Sequence, residues 1–247
     1  MAAGEKFVWR FLHLFSGAPD KLAEALKVVA ADRGVQIEVE SYDIAAGHDL
    51  TDPSLVAEIK RKAGEGFYHA AHSGFPCTTF SRLRWRPAPR MPGPVRSRDH
   101  IYGLPSNTKE EQMEADKGTL MACLSLEIPS AVKDSARHGA GPRPVTFENP
   151  PQTDHPFAAS AYSLPEVIAW IEHNRVEFAD FNNCIYADES AGEQRCKKPQ
   201  RFVGTLPGLG QLSGACRCSK DFVHPAVVGR EASRASASYP AALCKAI

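Results

Sequence analysis

The chain of 247 residues carries 29 basic and 29 acidic side chains, is 43% hydrophobic and 23% charged, and has a formal net charge of zero. That length accommodates one large α/β domain with room for a small appended module. The charge balance excludes a global basic field pulling the protein onto nucleic acid, so any such attraction has to be local. No run approaches the ~18 uninterrupted apolar residues of a membrane-spanning helix, and no membrane partner is expected.

Phe7 to Phe15 is predicted to be a buried strand ending at Ser16-Gly17-Ala18-Pro19. Arg10 and His13 break its apolar run and no small-residue cleavage site follows, so it reads as a strand and not as a signal peptide. Leu22, Ala25, Leu26, Val29 and Ala30 recur at helical spacing, with Asp20 placed as N-cap and Gly34 as stop. Val35 to Tyr42 alternates apolar and polar residues, predicting a second strand with Asp43 just past its end. Asp52-Pro53 opens a helix that runs to about Ala63, with proline at a first-turn position. Phe67 to Ala71 is a short third strand. This alternation predicts a doubly wound, mostly parallel sheet with helices on both faces, a Rossmann-like α/β fold.

Residues 82–107 contain six arginines (82, 84, 86, 90, 96 and 98), several prolines and no period, which predicts a long loop of the kind that carries function. A helix is predicted over 110–138, a brief strand over 145–147 ending in Glu148-Asn149-Pro150-Pro151, a helix over 165–174 and a strand over 175–181. Residues 185–225, rich in Gly, Cys, Lys and Arg, read as a small irregular module, and the Ala/Ser-rich stretch 231–247 as helical, with Pro240 interrupting or starting its last part. The expected organisation is a core over 1–184, the module over 185–225, and a C-terminal helix over 226–247 returning to the core.

Seven scattered cysteines, an odd number in a chain of this size, do not read as a disulfide scaffold and imply a reducing, intracellular setting, nucleus or cytoplasm. A single cysteine in a special loop then becomes a candidate nucleophile. Cys77 follows Pro76 at the end of a parallel strand, the edge at which open α/β sheets bind ligands. Most free cysteines are small buried residues. The arginines downstream weigh the other way, because nearby cations favour thiolate over thiol.

The segment Gly74-Phe75-Pro76-Cys77-Thr78-Thr79-Phe80-Ser81 resembles the nucleophile loop of the DNA cytosine-5 methyltransferases, Gly-Phe-Pro-Cys-Gln-x-Phe-Ser, with Thr78 in place of Gln. Seventy-one residues beyond Cys77, Phe147-Glu148-Asn149 resembles that family's Glu-Asn-Val motif, with Pro150 in place of Val. Upstream, Leu14-Phe15-Ser16-Gly17 resembles the opening of its cofactor loop, and the motifs keep the family's order. The resemblance implies transfer of a methyl group from S-adenosylmethionine to a flipped-out cytosine of DNA, with RNA as a possible substrate. Cys77 would add to carbon 6 of the base, and Glu148 would hold or protonate ring nitrogen 3. Arg201, in Lys198-Pro199-Gln200-Arg201, is the nearest match to an arginine that positions the base.

The same resemblance assigns Phe15, Ser16, Gly17, Asp43, Asp52 and Pro76 to the cofactor. Gly17 allows close backbone approach, and Asp43, 26 residues beyond it, suits ribose hydroxyls. Asp52 reads equally as the N-cap of the next helix. Ala18, Pro19 and Asp20 replace further glycine in this loop. Ser81, Arg82, Arg84 and Trp85 suit phosphate gripping and base stacking beside the nucleophile, or a solvated loop. Cys196, Cys216, Cys218 and His224 could hold a structural zinc ion that staples a module lacking its own core. The alternative to an enzyme is a methyltransferase-like module that binds nucleic acid or a partner without chemistry. An amino-methyltransferase using Asn149-Pro150-Pro151 would leave Cys77 idle.

Overall fold

The computed structural model describes residues 7–86, 92–135, 141–225 and 239–247, and its frame is a six-stranded mixed sheet. The strands are β1 (Val8–Leu14), β2 (Gln36–Tyr42), β3 (Ala70–Ser73), β4 (Val145–Asn149), β5 (Glu177–Asn182) and β6 (Pro199–Gly204). Their spatial order is β2-β1-β3-β4-β6-β5. The first four run parallel, whereas β6 is antiparallel to both β4 and β5.

Helices cover both faces, as expected of a doubly wound α/β fold. The helices are α1 (Lys21–Asp32), α2 (Pro53–Gly64), α3 (Lys109–Asp134), α4 (Pro165–His173) and a short α5 (Ala241–Ala246). On one face, Leu12 and Leu14 pack with Ile59 and Ala63 of α2 and with Leu124, Ile128 and Val132 of α3. Phe75, Phe80, Phe147 and Val203 continue that layer against Ala122, Leu126 and Val167. On the other face, Leu22 of α1 and Leu243 of α5 enclose Phe181, Phe202, Leu209 and Tyr239.

Helix ends follow local chemistry. Asp20 caps α1 by accepting from Ala23 N at 2.9 Å, and Asp52 caps α2 by accepting from Ser54 N at 2.9 Å. Thr108 and Glu111 close a capping box at the start of α3. The tail of the helix expected to end at 138, and residues 226–238 of the expected C-terminal helix, lie outside the described residues.

Two expectations are corrected. Residues 199–204 are a strand of the central sheet, inserted between β4 and β5, and not part of an irregular module. Pro199 is tolerated because it is the first residue of the strand. The arginine-rich segment is also less of a cationic surface than its composition suggests. Arg84 is buried and paired with Glu114. Arg96 is only 1% exposed: it donates to Ile101 O at 2.7 Å and to Ala115 O, and its guanidinium lies 4.0 Å over the Phe80 ring. Burial lowers its pKa to about 10.

Arg96 thus ties the loop after β3 to the side of α3. Gly118 completes the seam, because a Cβ there would collide with Thr79 Oγ1. Replacing Arg96 by methionine removes its hydrogen bonds to Ile101 O and Ala115 O and takes the cation from Phe80. Equilibrium urea unfolding is expected to show a loss of about 3 kcal/mol at unchanged m; a loss below ~1 kcal/mol would contradict this clamp role.

Candidate active site at the carboxyl edge of the sheet

The loops following β1, β2, β3 and β4 meet at one edge of the sheet, and the motif residues arrive there by this topology. After β3, Gly74 N donates to Leu14 O at 3.2 Å, and Phe75 is buried. Cys77 then opens a single 3-10 turn (Thr78–Phe80) closed by Phe80 N donating to Cys77 O at 2.9 Å. Asn149, at the end of β4, donates from Nδ2 to Phe75 O at 3.1 Å, so the β4 terminus and the cysteine loop are joined directly.

Glu148 is buried, at 7% exposure. Its Oε2 accepts from the Tyr239 hydroxyl at 3.4 Å, while Oε1 has no protein partner among the described residues. Burial raises its pKa, opposed by the charge of Lys198 and by the Tyr239 bond. Gly74 is required here: a Cβ on it would lie 2.8 Å from Tyr239 Oη and 3.7 Å from Glu148 Oε2.

Behind Tyr239 stands His72, fully buried, with Nε2 2.9 Å from Tyr239 Oη and Nδ1 2.7 Å from Thr146 Oγ1. Burial holds the imidazole pKa well below its usual range, so the ring is neutral. A neutral imidazole has one N–H and one lone pair. With Tyr239 donating to Glu148, His72 donates from Nε2 to Tyr239 and accepts at Nδ1 from Thr146. This chain fixes the Glu148 carboxyl from behind and leaves Oε1 as its free corner.

Cys77 keeps partial exposure, but the protein packed around it dominates its titration. Burial raises the thiol pKa, Lys198 lowers it and Glu148 raises it. The expectation that the downstream arginines produce the thiolate is therefore corrected. Arg84 and Arg96 are directed into the protein, and the cation whose field reaches both Cys77 and Glu148 is Lys198.

Lys198 precedes β6 in chain order, in the same four-residue segment from which Arg201 was singled out. Arg201 itself is held by a bidentate pair to Asp180, both contacts 2.7 Å. Directly opposed residues of an antiparallel pair share a sheet face and successive residues alternate. Arg201 opposes Asn149 and Phe202 opposes Glu148. Arg201 is thus on the face away from Glu148, and the structure does not bring it to the site. Gln200, on Glu148's face, is fully buried with neither amide atom paired among the described residues. No local signal singles out Lys198, Gln200 or His72, because nothing in a single chain reveals which strand its flanking residues will join.

At the end of β1, Phe15 (φ 56°) and Gly17 (φ 72°) take left-handed conformations, and a Cβ on Gly17 would meet nothing within 4 Å. Asp43 accepts from Gly17 N at 3.0 Å and from Ala45 N at 2.7 Å, one amide on each oxygen. An ionised carboxylate offers about four lone-pair positions, so two remain for a diol. Ile44, next to it, is 68% exposed. Ser16 donates from Oγ to its neighbour Gly17 O, and Pro76 is exposed. Asp52 is an exposed helix cap.

Ser81 caps the turn Arg82–Trp85 by accepting from Leu83 N. Arg82 is 43% exposed along its side chain, with Asp154 at 3.9 Å. Trp85 stacks on Phe157 at 5.5 Å and 30°, and Phe157 is itself 55% exposed. Of the four residues assigned to nucleic acid, Arg84 alone is removed from the surface.

No protein-family model matches the chain, and no curated protein matches it. The functional reading therefore rests on the motif resemblance and on this geometry. No helix among the described residues is long and apolar enough to cross a membrane.

A group of metal-ligating side chains lies beyond β5. Sγ of Cys184, Cys216 and Cys218 and a ring nitrogen of His224 all lie within 4.8 Å of one another. Cys196 is outside this group; its Sγ contacts Gln194 Oε1 at 3.9 Å. The expected ligand set is corrected accordingly, with Cys184 replacing Cys196. Cys184 belongs to the turn that ends β5, one residue before the boundary drawn for the module from composition.

Proposed function

We propose that this chain is an S-adenosylmethionine-dependent cytosine-5 methyltransferase acting on DNA, with Cys77 as nucleophile and Glu148 as the group that holds the target base. The observation that carries this reading is the convergence of two motifs 71 residues apart. Cys77 and Glu148 lie at one sheet edge, are joined through Asn149 and Phe75, and share the field of Lys198.

Carbon 5 of cytosine is a weak nucleophile until a group adds at carbon 6. The Cys77 thiolate supplies that addition, forming an S–C6 bond while the C5=C6 electron pair moves toward carbon 5. Glu148 retains its proton more readily than an exposed carboxyl, so Oε1 can donate to ring nitrogen 3 and neutralise the charge that addition places on the ring. Tyr239 and His72 keep that carboxyl in place. Lys198 opposes the desolvation of the Cys77 thiolate. S-adenosylmethionine, when bound, supplies an electrophilic methyl group; Asp43 would hold its ribose hydroxyls and Ile44 would cover its adenine. Once carbon 5 carries the methyl group, loss of its proton to solvent re-forms the C5=C6 bond and breaks S–C6, returning the thiolate, while ring nitrogen 3 gives its proton back to Glu148.

The exposed Arg82, Ser81 and the Trp85–Phe157 stack are the DNA contacts in this reading, giving a grip that does not depend on sequence.

The test is transfer of labelled methyl from S-adenosylmethionine to cytosine-containing duplex DNA, followed by nuclease digestion and identification of 5-methylcytosine. Asp43→Ala is expected to raise the calorimetric Kd for S-adenosylmethionine by about 10–100-fold, the loss of one to two charge-assisted hydrogen bonds. DNA binding by a wild-type chain that shows no heat with S-adenosylmethionine and no label transfer would replace this proposal with that of a non-catalytic binding module.

A further inference from the structure

We propose that Cys184, Cys216, Cys218 and His224 form a structural zinc site that fastens the segment after β6 to the end of β5. The four donor atoms come from two separated parts of the chain, and all lie within 4.8 Å of one another. Bond lengths of about 2.3 Å for sulfur and 2.0–2.1 Å for nitrogen, arranged tetrahedrally, require donor separations of about 3.5–3.8 Å. Cys216 Sγ and His224 Nε2 are 3.2 Å apart, and a donor pair at the 4.8 Å limit reaches tetrahedral spacing with a shift of about 1 Å.

The histidine is prepared for this role. Its Nδ1 lies 2.7 Å from the carbonyl oxygen of Arg195, an atom that can only accept. Nδ1 therefore carries the proton and Nε2 presents its lone pair to the sulfur cluster, the arrangement in which a ligating imidazole is oriented by its other ring nitrogen. Thiolates with one imidazole in tetrahedral disposition select zinc over the harder divalent ions, and a filled four-ligand set marks a structural site.

The surrounding fold shows what such an ion would do. No residue from Ser213 to Pro225 is buried, and Val223 is 88% exposed. Its start is tied to the sheet by Gly214 N donating to Asp180 O at 2.9 Å, by Asp180 N donating to Ser213 Oγ at 3.1 Å and by the neighbouring bridge to Phe181. A segment with no apolar core of its own depends on a cross-link. The His224–Arg195 bond extends this fastening to the stretch 195–198, whose end is held by Asn183 N donating to Lys198 O at 3.0 Å. The site stands independently of the methyltransferase reading.

The experiment is metal analysis of the full chain, purified under reducing conditions from zinc-supplemented culture, by inductively coupled plasma mass spectrometry. About one zinc per chain is expected in the wild type and in Cys196→Ser, with at least a tenfold loss in Cys184→Ser and Cys218→Ser. Cobalt exchange into the wild type is a second measurement that needs no variant. It should produce the visible bands of a tetrahedral ion together with thiolate charge-transfer absorption in the near ultraviolet. Metal-free wild-type protein without a cobalt spectrum would overturn the proposal. So would a mass two units low that reports a disulfide, or zinc retained in Cys184→Ser but lost in Cys196→Ser.

Discussion

Cys77→Ser is expected to abolish covalent capture of DNA containing 5-fluorocytosine. In the proposed reaction the S–C6 bond breaks only after carbon 5 releases its proton. Fluorine at that position cannot leave as a cation, so the protein remains attached to the DNA and survives denaturing electrophoresis. Serine keeps the side chain's size but presents a hydroxyl far less acidic than a thiol, and the addition step fails. Methyl transfer should fall by more than ~10⁴-fold, as when a covalent nucleophile is removed. Thermal stability should hardly move, since Cys77 is partly exposed and makes no side-chain hydrogen bond that shapes the loop. The pH dependence carries further information. Burial raises the Cys77 thiol above its ordinary 9.0, so capture by the wild type should accelerate as pH increases on the alkaline side. Lys198→Met removes the cation that lowers the thiol pKa and should displace that profile to still higher pH. An adduct that forms undiminished in Cys77→Ser would refute the assignment.

The parallel half of this site was legible because its information is local. The alternation of strand and helix from Phe7 to Ala71, the caps Asp20 and Asp52, and the loop around Cys77 are each written in neighbouring residues, and the fold observed is the α/β sheet those signals predict. The antiparallel half was not. Pro199 to Gly204 carries Pro, Gln and Arg at its start, so its inward-facing Gln200 and Phe202 do not form a recognisable apolar period. Composition also counts charges without giving their direction. Arg84 and Arg96 looked like part of a cationic loop, yet one is buried and paired with Glu114 and the other lies over Phe80. The same blindness exchanged Cys184 for Cys196: spacing along the chain favoured the nearer cysteine, whereas the end of β5 delivers the more distant one. His72 and Tyr239, 167 residues apart, meet only because β3 and the approach to α5 converge behind Glu148.

Glu148→Gln should separate activity from stability. The amide keeps the shape of the carboxyl and can still donate to ring nitrogen 3, but it cannot transfer a proton, and kcat is expected to fall by about 10²–10³-fold. Folding should respond in the opposite direction. Burial raises the Glu148 pKa above its ordinary 4.5. Between 4.5 and that raised value the native state holds a proton that the unfolded chain has already released. By linkage, stability therefore declines as pH rises through this interval and stays at the lower level beyond it. Glutamine titrates nowhere in this range and escapes the decline. The variant should consequently match the wild type near pH 4.5 and surpass it at neutral pH. For a chain of this size each ~1 kcal/mol relieved appears as about 2–4 °C in Tm. Differential scanning fluorimetry of both proteins across this pH range tests the sign directly. A Tm advantage that is largest at acid pH, or a neutral-pH variant less stable than the wild type, would mean that the carboxylate is held by partners stronger than the Tyr239 hydroxyl. In that case Glu148 would be ionised at rest and would meet the base as an acceptor from its exocyclic amine, not as a proton donor to the ring.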